Sequence, residues 1–329
     1  MKATVVANAN IALVKYWGKR DSKLILPFNN SISMTCDGLS TKTTVEFSDS
    51  YKKDIVTIND EEMKRDEKNV LGHLDRIRKM AGIKQYAKVV SESNFPVAAG
   101  LASSASGLAA LSMAAAAAAG LKLDNKQLSI LARLGSGSAS RSILGGFAEW
   151  QKGEKCDGSD SYAVQIAPKE HWPEFRMITT IVQEAKKPVG SRAGMAQTVA
   201  TSPYYKGWLE TIEADLTVMR KAIREKDFAL AAETAESNAL KMHATMMTTK
   251  PPIVYWIPAT LNIIHAVHGW RAEGMKCYFT MDAGPNVKVL CLQKDENEIV
   301  KRLSGVDGVK KMIICKPGDG AKIVKEHLF

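Results

Sequence analysis

The chain has 329 residues, 45% of them hydrophobic and 24% charged, with a formal net charge of +10. That length buries a large core and suits two lobes or one large α/β unit. The cations are scattered, without the basic block and interleaved aromatics of a nucleic-acid binder, so the basic balance points to a polyanionic small substrate.

In chain order, residues 3–14 alternate and are rich in β-branched residues, which predicts a strand with Asn8 and Asn10 near its end. The same asparagines interrupt any apolar run and exclude a signal peptide. Residues 15–21 (KYWGKRD) pack three cations and two aromatics around Gly18, a poor match to any regular core element. Residues 24–30 (LILPFNN) read as a turn, and 31–34 with 41–47 as a hairpin of short strands. A strand at 55–59 precedes a charged helix at 68–80, whose Val70, Leu71, Leu74 and Ile77 share one face. Residues 86–93 read as a further strand.

Residues 96–120 (PVAAGLASSASGLAALSMAAAAAAG) pass from a Gly/Ser turn into an alanine-rich helix. Free N–H groups at such a helix start, backed by the dipole, suit phosphate oxygens. The alternative is a buried helix that the serines merely cap. Its apolar run, 108–119, is too short and too alanine-rich to span a bilayer. Asp124 caps a helix that runs through Arg133, and 135–150 (GSGSASRSILGGFAEW) form a second Gly/Ser-dense segment leading into a strand. A polar turn at 156–161, strands at 162–166 and 177–182 and a surface loop at 168–173 follow. Residues 184–194 (EAKKPVGSRAG) read as the hinge between an N-terminal lobe, 1–183, and a C-terminal lobe, 184–329. Beyond it come helices at 204–225, 227–242 and 257–273, then strands at 277–281 and 287–293 around the turn 282–286 (DAGPN). A helix at 296–303, a strand at 311–315 and a Gly/Pro turn close the chain.

The six histidines have no ligand spacing, and the five cysteines form no C-x-x-C pair, so reduced thiols in the cytoplasm are expected and a resident protein metal site is not. Neither a Walker motif nor a GxGxxG fingerprint is present. What remains are basic, hydroxyl-rich loops: Lys15, Lys19 and Arg20; Arg141 beside Ser136 and Ser138; Ser191 and Arg192. Such loops suit phosphates and a carboxylate. Asp282, on a turn between apolar strands, is either poised as a general base or simply bonded to its own backbone.

Taken together, NIALVKYWGKRD (10–21), NNSIS (29–33), ESNFPVAAGLASSASG (92–107), GSGSASRSILGGFAEW (135–150), SRAGM (191–195), MHAT (242–245) and MDAGPN (281–286) resemble the diphosphomevalonate decarboxylase family of the GHMP kinase superfamily. The resemblance implies an α+β, GHMP kinase-type fold: a ribosomal S5 domain 2-like lobe and an α/β lobe around a deep cleft. It implies ATP-dependent decarboxylation of mevalonate 5-diphosphate to isopentenyl diphosphate, with ATP as co-substrate, Mg²⁺, and a cytoplasmic homodimer bound to neither nucleic acid nor membrane. Carried over residue by residue, Asp282, Arg141, Asn10 and Lys15 are expected at the reacting centre. Tyr16, Lys19, Ser136, Ser138, Ser191 and Arg192 are expected at the substrate diphosphate. The loop Ala99, Gly100, Leu101, Ala102, Ser103, Ser104 and Ser106 is expected at the ATP phosphates, with Ser104 or Ser106 near Mg²⁺. Sister reactions on the 5-phosphate, or 3-phosphorylation without decarboxylation, are the near alternatives. An RNA binder with an S5-like lobe is the distant one.

Overall fold

A computed structural model describes residues 1–63, 68–95, 103–183, 185 and 187–329. The first half of the chain forms β1 (Lys2–Val14), β2 (Lys19–Asp21), β3 (Leu26–Pro27), β4 (Ser31–Ser48), β5 (Ile55–Ile58), β6 (Glu61–Glu62), α1 (Lys68–Ala81), β7 (Tyr86–Ser93), α2 (Ser103–Ala118), α3 (Asn125–Gly135), α4 (Ala139–Ser142), β8 (Phe147–Trp150) and β9 (Ala163–Ala167). The second half forms β10 (Phe175–Ile181), α5 (Ser191–Thr201), α6 (Tyr205–Glu225), α7 (Phe228–Met247), α8 (Pro258–Ala272), β11 (Tyr278–Met281), β12 (Val287–Leu292), α9 (Glu296–Ser304), β13 (Lys311–Cys315) and β14 (Lys322–Val324).

The larger sheet runs β14-β1-β4-β7-β5-β6, with β8 pairing β4 and β9; the smaller runs β11-β12-β10-β13. Three apolar clusters fill the layers. One lies between the larger sheet and α1–α3, where Val5, Val45, Leu74 and the α2 alanines meet. Small side chains let α2 sit close on the strands, which is why it is built of alanine. The central cluster joins the larger sheet, α6, α7 and the near side of the smaller sheet; the third joins the smaller sheet to α8 and α9.

The hairpin expected at 31–47 is instead one strand, β4, paired with β1 along its length. Its first part pairs with β8 and its second with β7, so it changes neighbour without reversing direction. The interruption is a bulge, seen as a register shift between Asn8 and Asn10, with Gly38 at φ +99°. The segments 15–21 and 24–30 are also more ordered than their composition suggests. They supply the β2–β3 ladder, and Lys15 and Trp17 are buried, at 1% and 2% exposed. Two other loops are more structured than expected. Trp172 pins 168–173 into an aromatic cluster with Phe147 and Phe175, and α5 begins inside the expected hinge at Ser191.

The two sheets interleave along the chain. β10, which precedes residue 183, pairs in the smaller sheet, while β14 returns to the edge of the larger one beside β1. On its way back the chain threads a glycine contact: Gly146 N–H donates to Gly318 O at 2.9 Å, Gly318 N–H donates to Thr35 O at 2.8 Å, and Ala321 N–H donates to Ser142 O at 3.1 Å. A Cβ on Gly145 would stand 2.8 Å from the Gly320 nitrogen, so backbone meets backbone there.

Candidate active site

A cavity of about 640 Å³ opens between the layers, and most of the expected residues face it: Asn10, Lys15, Tyr16, Lys19, Ser103, Ser104, Ser136, Ser138, Arg141, Ser191, Arg192 and Asp282. Ala99, Gly100, Leu101 and Ala102 lie outside the described residues. Ser106 is fully buried and away from the lining, its hydroxyl 2.7 Å from that of Thr41. Of the two serines expected near Mg²⁺, only Ser104 reaches the cavity wall.

Arg141 sits on the single turn of α4, 2% exposed. Its Nε donates to Asn10 Oδ1 at 3.1 Å and to Ser33 Oγ at 2.9 Å, and its Nη1 donates to Ser31 Oγ. All three acceptors are neutral oxygens. Burial pulls the guanidinium down to about 10, with Asp282 opposing. A cation so held is short of countercharge and suited to a carboxylate ligand. Asn10 is in turn fixed by donating to Ser138 O at 2.9 Å and Ser142 Oγ at 2.7 Å. It stands at the β1–β4 bulge, a usual place for a strand to re-aim a side chain.

Asp282 leaves β11 at the turn before β12. Lys15 Nζ lies 2.9 Å from its Oδ1 and Lys288 Nζ 3.4 Å from its Oδ2. The Lys288 contact comes from the sheet side, so the two ammonium groups stand at opposite ends of the carboxylate. Burial pushes the Asp282 carboxyl up, but the two ammonium groups outweigh it and hold the group well below the usual carboxylate range. Burial pulls Lys15 down to about 8 in spite of Asp282. An acid so held is a strong hydrogen-bond acceptor and a fixed negative charge, and a weak proton store.

The Gly/Ser segment has a steric reason for its glycines. A Cβ on Gly137 would stand 2.6 Å from the Trp150 ring and 2.9 Å from Tyr16, and one on Gly135 would stand 2.4 Å from Leu108. Tyr16 packs edge-on to Trp150, with centroids 4.7 Å apart, and its buried hydroxyl has no partner among the described residues. That orphan lies on the cavity wall with Arg141 and Arg192 near enough to act on its charge. A donor left free on the cavity wall is suited to an anion. Arg192 Nη2 donates to Gly135 O at 2.7 Å, tying the start of α5 to this segment.

Three groups escaped the sequence reading. Lys187, in the expected hinge, donates to Ser191 Oγ at 2.7 Å and to Ala283 O at 2.6 Å, and burial brings it down to about 8. Lys288 follows the DAGPN turn, and His243 of α7 lies 3.1 Å from the Asp282 carbonyl oxygen. A proline-flanked lysine and a lysine in an apolar strand carry no local signal of a carboxylate distant in sequence. The apolar end of the cavity, lined by Val56, Ile58, Val70, Val89, Leu108 and Leu111, was equally hidden, because its residues read as ordinary core faces. Among the described residues no group of His, Cys, Asp and Glu could hold a metal. None of the helices described is long and apolar enough to cross a membrane.

Comparison with known proteins gives the family. Residues 7–163 match the sequence model of the diphosphomevalonate decarboxylase-like N-terminal domain, and 177–313 that of the mevalonate 5-diphosphate decarboxylase C-terminal domain. The chain is 40% identical to the human diphosphomevalonate decarboxylase over 316 residues, covering 90% of this chain and 78% of that one. The mevalonate diphosphate decarboxylase from Enterococcus faecalis superposes with a TM-score of 0.92 at 42% identity, covering 99% of both chains. A complex of MDDEF with MVAPP, AMPPCP and magnesium matches with the same TM-score, 0.92, at 42% identity and again over 99% of both chains.

Proposed function

Since the chain belongs to the diphosphomevalonate decarboxylase family, we propose how its own residues divide the work of that family's reaction. The protein converts mevalonate 5-diphosphate and ATP to isopentenyl diphosphate, ADP, phosphate and CO2, with Mg²⁺ accompanying the nucleotide. A tertiary alcohol leaves poorly, so its oxygen takes the γ-phosphoryl group first. Departure of the phosphate and loss of CO2 then give the alkene.

Asp282 accepts a hydrogen bond from the C3 hydroxyl and orients its oxygen toward the incoming phosphorus; as the new O–P bond forms and ADP leaves, the hydroxyl proton passes by way of this carboxylate to the phosphate oxygens. The same carboxylate then faces the positive character that grows at C3 as the phosphate departs. Arg141, with no anionic hydrogen-bond partner among the described residues, holds the substrate carboxylate in line for cleavage, and Asn10 sets its orientation. Tyr16, Lys19, Ser136, Ser138, Ser191 and Arg192 surround the diphosphate. Loop 96–102, with Ser103 and Ser104, receives the ATP phosphates, Lys187 meets them from across the cavity, and the apolar end takes the base. Lacking a carboxylate cluster, the site fits an ion that is carried mainly by the phosphates, with the Ser104 hydroxyl as the protein's oxygen nearby. That ion neutralises triphosphate charge.

The observation that carries these roles is the presence, on one cavity wall, of the acid Asp282 and of a buried arginine whose hydrogen bonds among the described residues all end on neutral oxygens. The test is ATP-dependent CO2 release from mevalonate 5-diphosphate, mevalonate 5-phosphate and mevalonate. Only the first should turn over efficiently, and equal rates on the monophosphate would remove the diphosphate contacts assigned to Lys19, Ser191 and Arg192. A cytoplasmic homodimer is also proposed, of two-lobed subunits in which β10 joins the later lobe and β14 returns to the earlier one. Its support is the family resemblance, and sedimentation of the purified protein tests the dimer.

A further inference from the structure

Lys288 is the cation that the fold has least reason to contain. It lies in β12 among Val287, Val289, Leu290 and Cys291, all buried, and is itself 1% exposed. The pairing registers set Thr179 of β10 and Thr280 of β11 on either side of it. Both threonine hydroxyls are buried without a hydrogen-bond partner among the described residues. Desolvating an ammonium in a sheet interior is costly, and an apolar side chain is the default there. What the lysine reaches is the catalytic turn: Nζ donates to Asn286 O at 3.1 Å and stands 3.4 Å from Asp282 Oδ2. Lys15 takes the other oxygen, so the carboxylate is gripped at both ends.

We propose that Lys288 is a positioning residue that acts through Asp282, pinning Oδ2 from the sheet side so that the carboxylate stays ionised and cannot rotate away from the substrate hydroxyl. This rests on the reading that Asp282 meets the C3 hydroxyl. The groups that face Asp282 from every side agree with the role. Lys15 comes from the end of β1, Lys187 from the segment before α5, and Arg141 from α4. His243 of α7 is held neutral by burial, at about 3, and the Cys36 thiol of β4 is pushed well up by its hydrogen bond with the free thiol of Cys315 and by burial. The Lys15 contact is to Oδ1, so loss of Lys288 removes the ion pair that reaches the carboxylate from the sheet side.

The test compares Lys288→Met, Lys288→Gln and Lys288→Arg with Asp282→Asn. The readouts are kcat, both KM values, the pH profile of kcat/KM and the unfolding midpoint. Removing a cation raises the proton affinity of Asp282, so the acid limb of kcat/KM should move to higher pH in the Met and Gln variants. Their kcat should fall about 10²-fold, the cost of a misplaced reacting group, with the KM for ATP little changed. Lys288→Arg should restore the limb and much of the rate. The Gln variant can still donate to a carbonyl, so it decides the matter should Met fail to fold. Unmoved acid limbs in both neutral variants overturn the proposal, whether the rate is unchanged or falls together with the unfolding midpoint. The Asp282→Asn arm separates the two readings. If it keeps normal turnover, the role of Asp282 fails and the proposal fails with it. If it is inactive while the Lys288 variants behave as wild type, only the proposal fails.

Discussion

Arg141 and Lys15 are both buried cations, yet they are satisfied in opposite ways. Lys15 has a carboxylate at 2.9 Å, whereas the bonds of Arg141 end on neutral oxygens. The difference predicts different failures. Arg141→Gln removes the cation proposed to hold the substrate carboxylate and should cut kcat by about 10²-fold or more while nucleotide KM stays within a few-fold. Steady-state kinetics with each substrate varied checks it, and a defect confined to ATP would place Arg141 elsewhere. The lysines set a pH limit. Lys15 and Lys187, brought down to about 8 by burial, are charged below that pH and lose their protons above it. The kcat/KM for the diphosphate substrate should therefore fall as pH rises through about 8. Bound phosphates favour the charged form, so the limb in kcat should lie higher. A flat kcat/KM up to pH 10 would exclude both lysines from anion binding. At this scale the sequence could name Asp282 and Arg141, since both stand in compact motifs. It could not name Lys187 or Lys288, whose significance comes only from the carboxylate the fold brings to them.

Among the elements, the amphipathic and capped ones were the most readable. α1 shows its apolar face in the 3.6-residue spacing, and α3 begins on a capping box between Asp124 and Gln127. β4 was misread because Gly38 and the polar residues around it look like a turn, when they form a bulge between two neighbours of one strand. α5 was missed because proline and glycine precede it and its apolar positions are sparse. The Gly/Ser segment was legible as a loop, while the reason for its glycines was not. Gly137→Ala tests that reason. Its Cβ would enter the space of two aromatic rings that pack on each other, Trp150 and Tyr16. Overpacking of this sort costs about 1–3 kcal/mol. The expected result is a lower unfolding midpoint together with a raised KM for the diphosphate substrate, because Tyr16 must move. A variant with wild-type KM would show that the rings yield without disturbing the wall.

At the level of the whole molecule, the two-lobe class was readable from the order of motifs, whereas the route of the chain between sheets was not. β14 has three residues and no periodic signature, and nothing in GDGAKIV announces a partner near residue 5. Its importance is topological. Deleting 317–329 strips the edge from β1 and removes the bonds that Gly318 and Ala321 make to the Thr35, Gly146 and Ser142 backbones. The shortened chain should lose turnover and unfold at markedly lower temperature, by calorimetry, and full activity in it would refute the latch. This threading also has a consequence during synthesis. Domains commonly fold in turn as they leave the ribosome. Here the β14 edge of the first sheet forms only after residues beyond 317 have emerged, when the turn that carries Asp282 is already out. A chain cut off in the last helix would carry both Arg141 and Asp282 and still leave the edge of β1 unpaired.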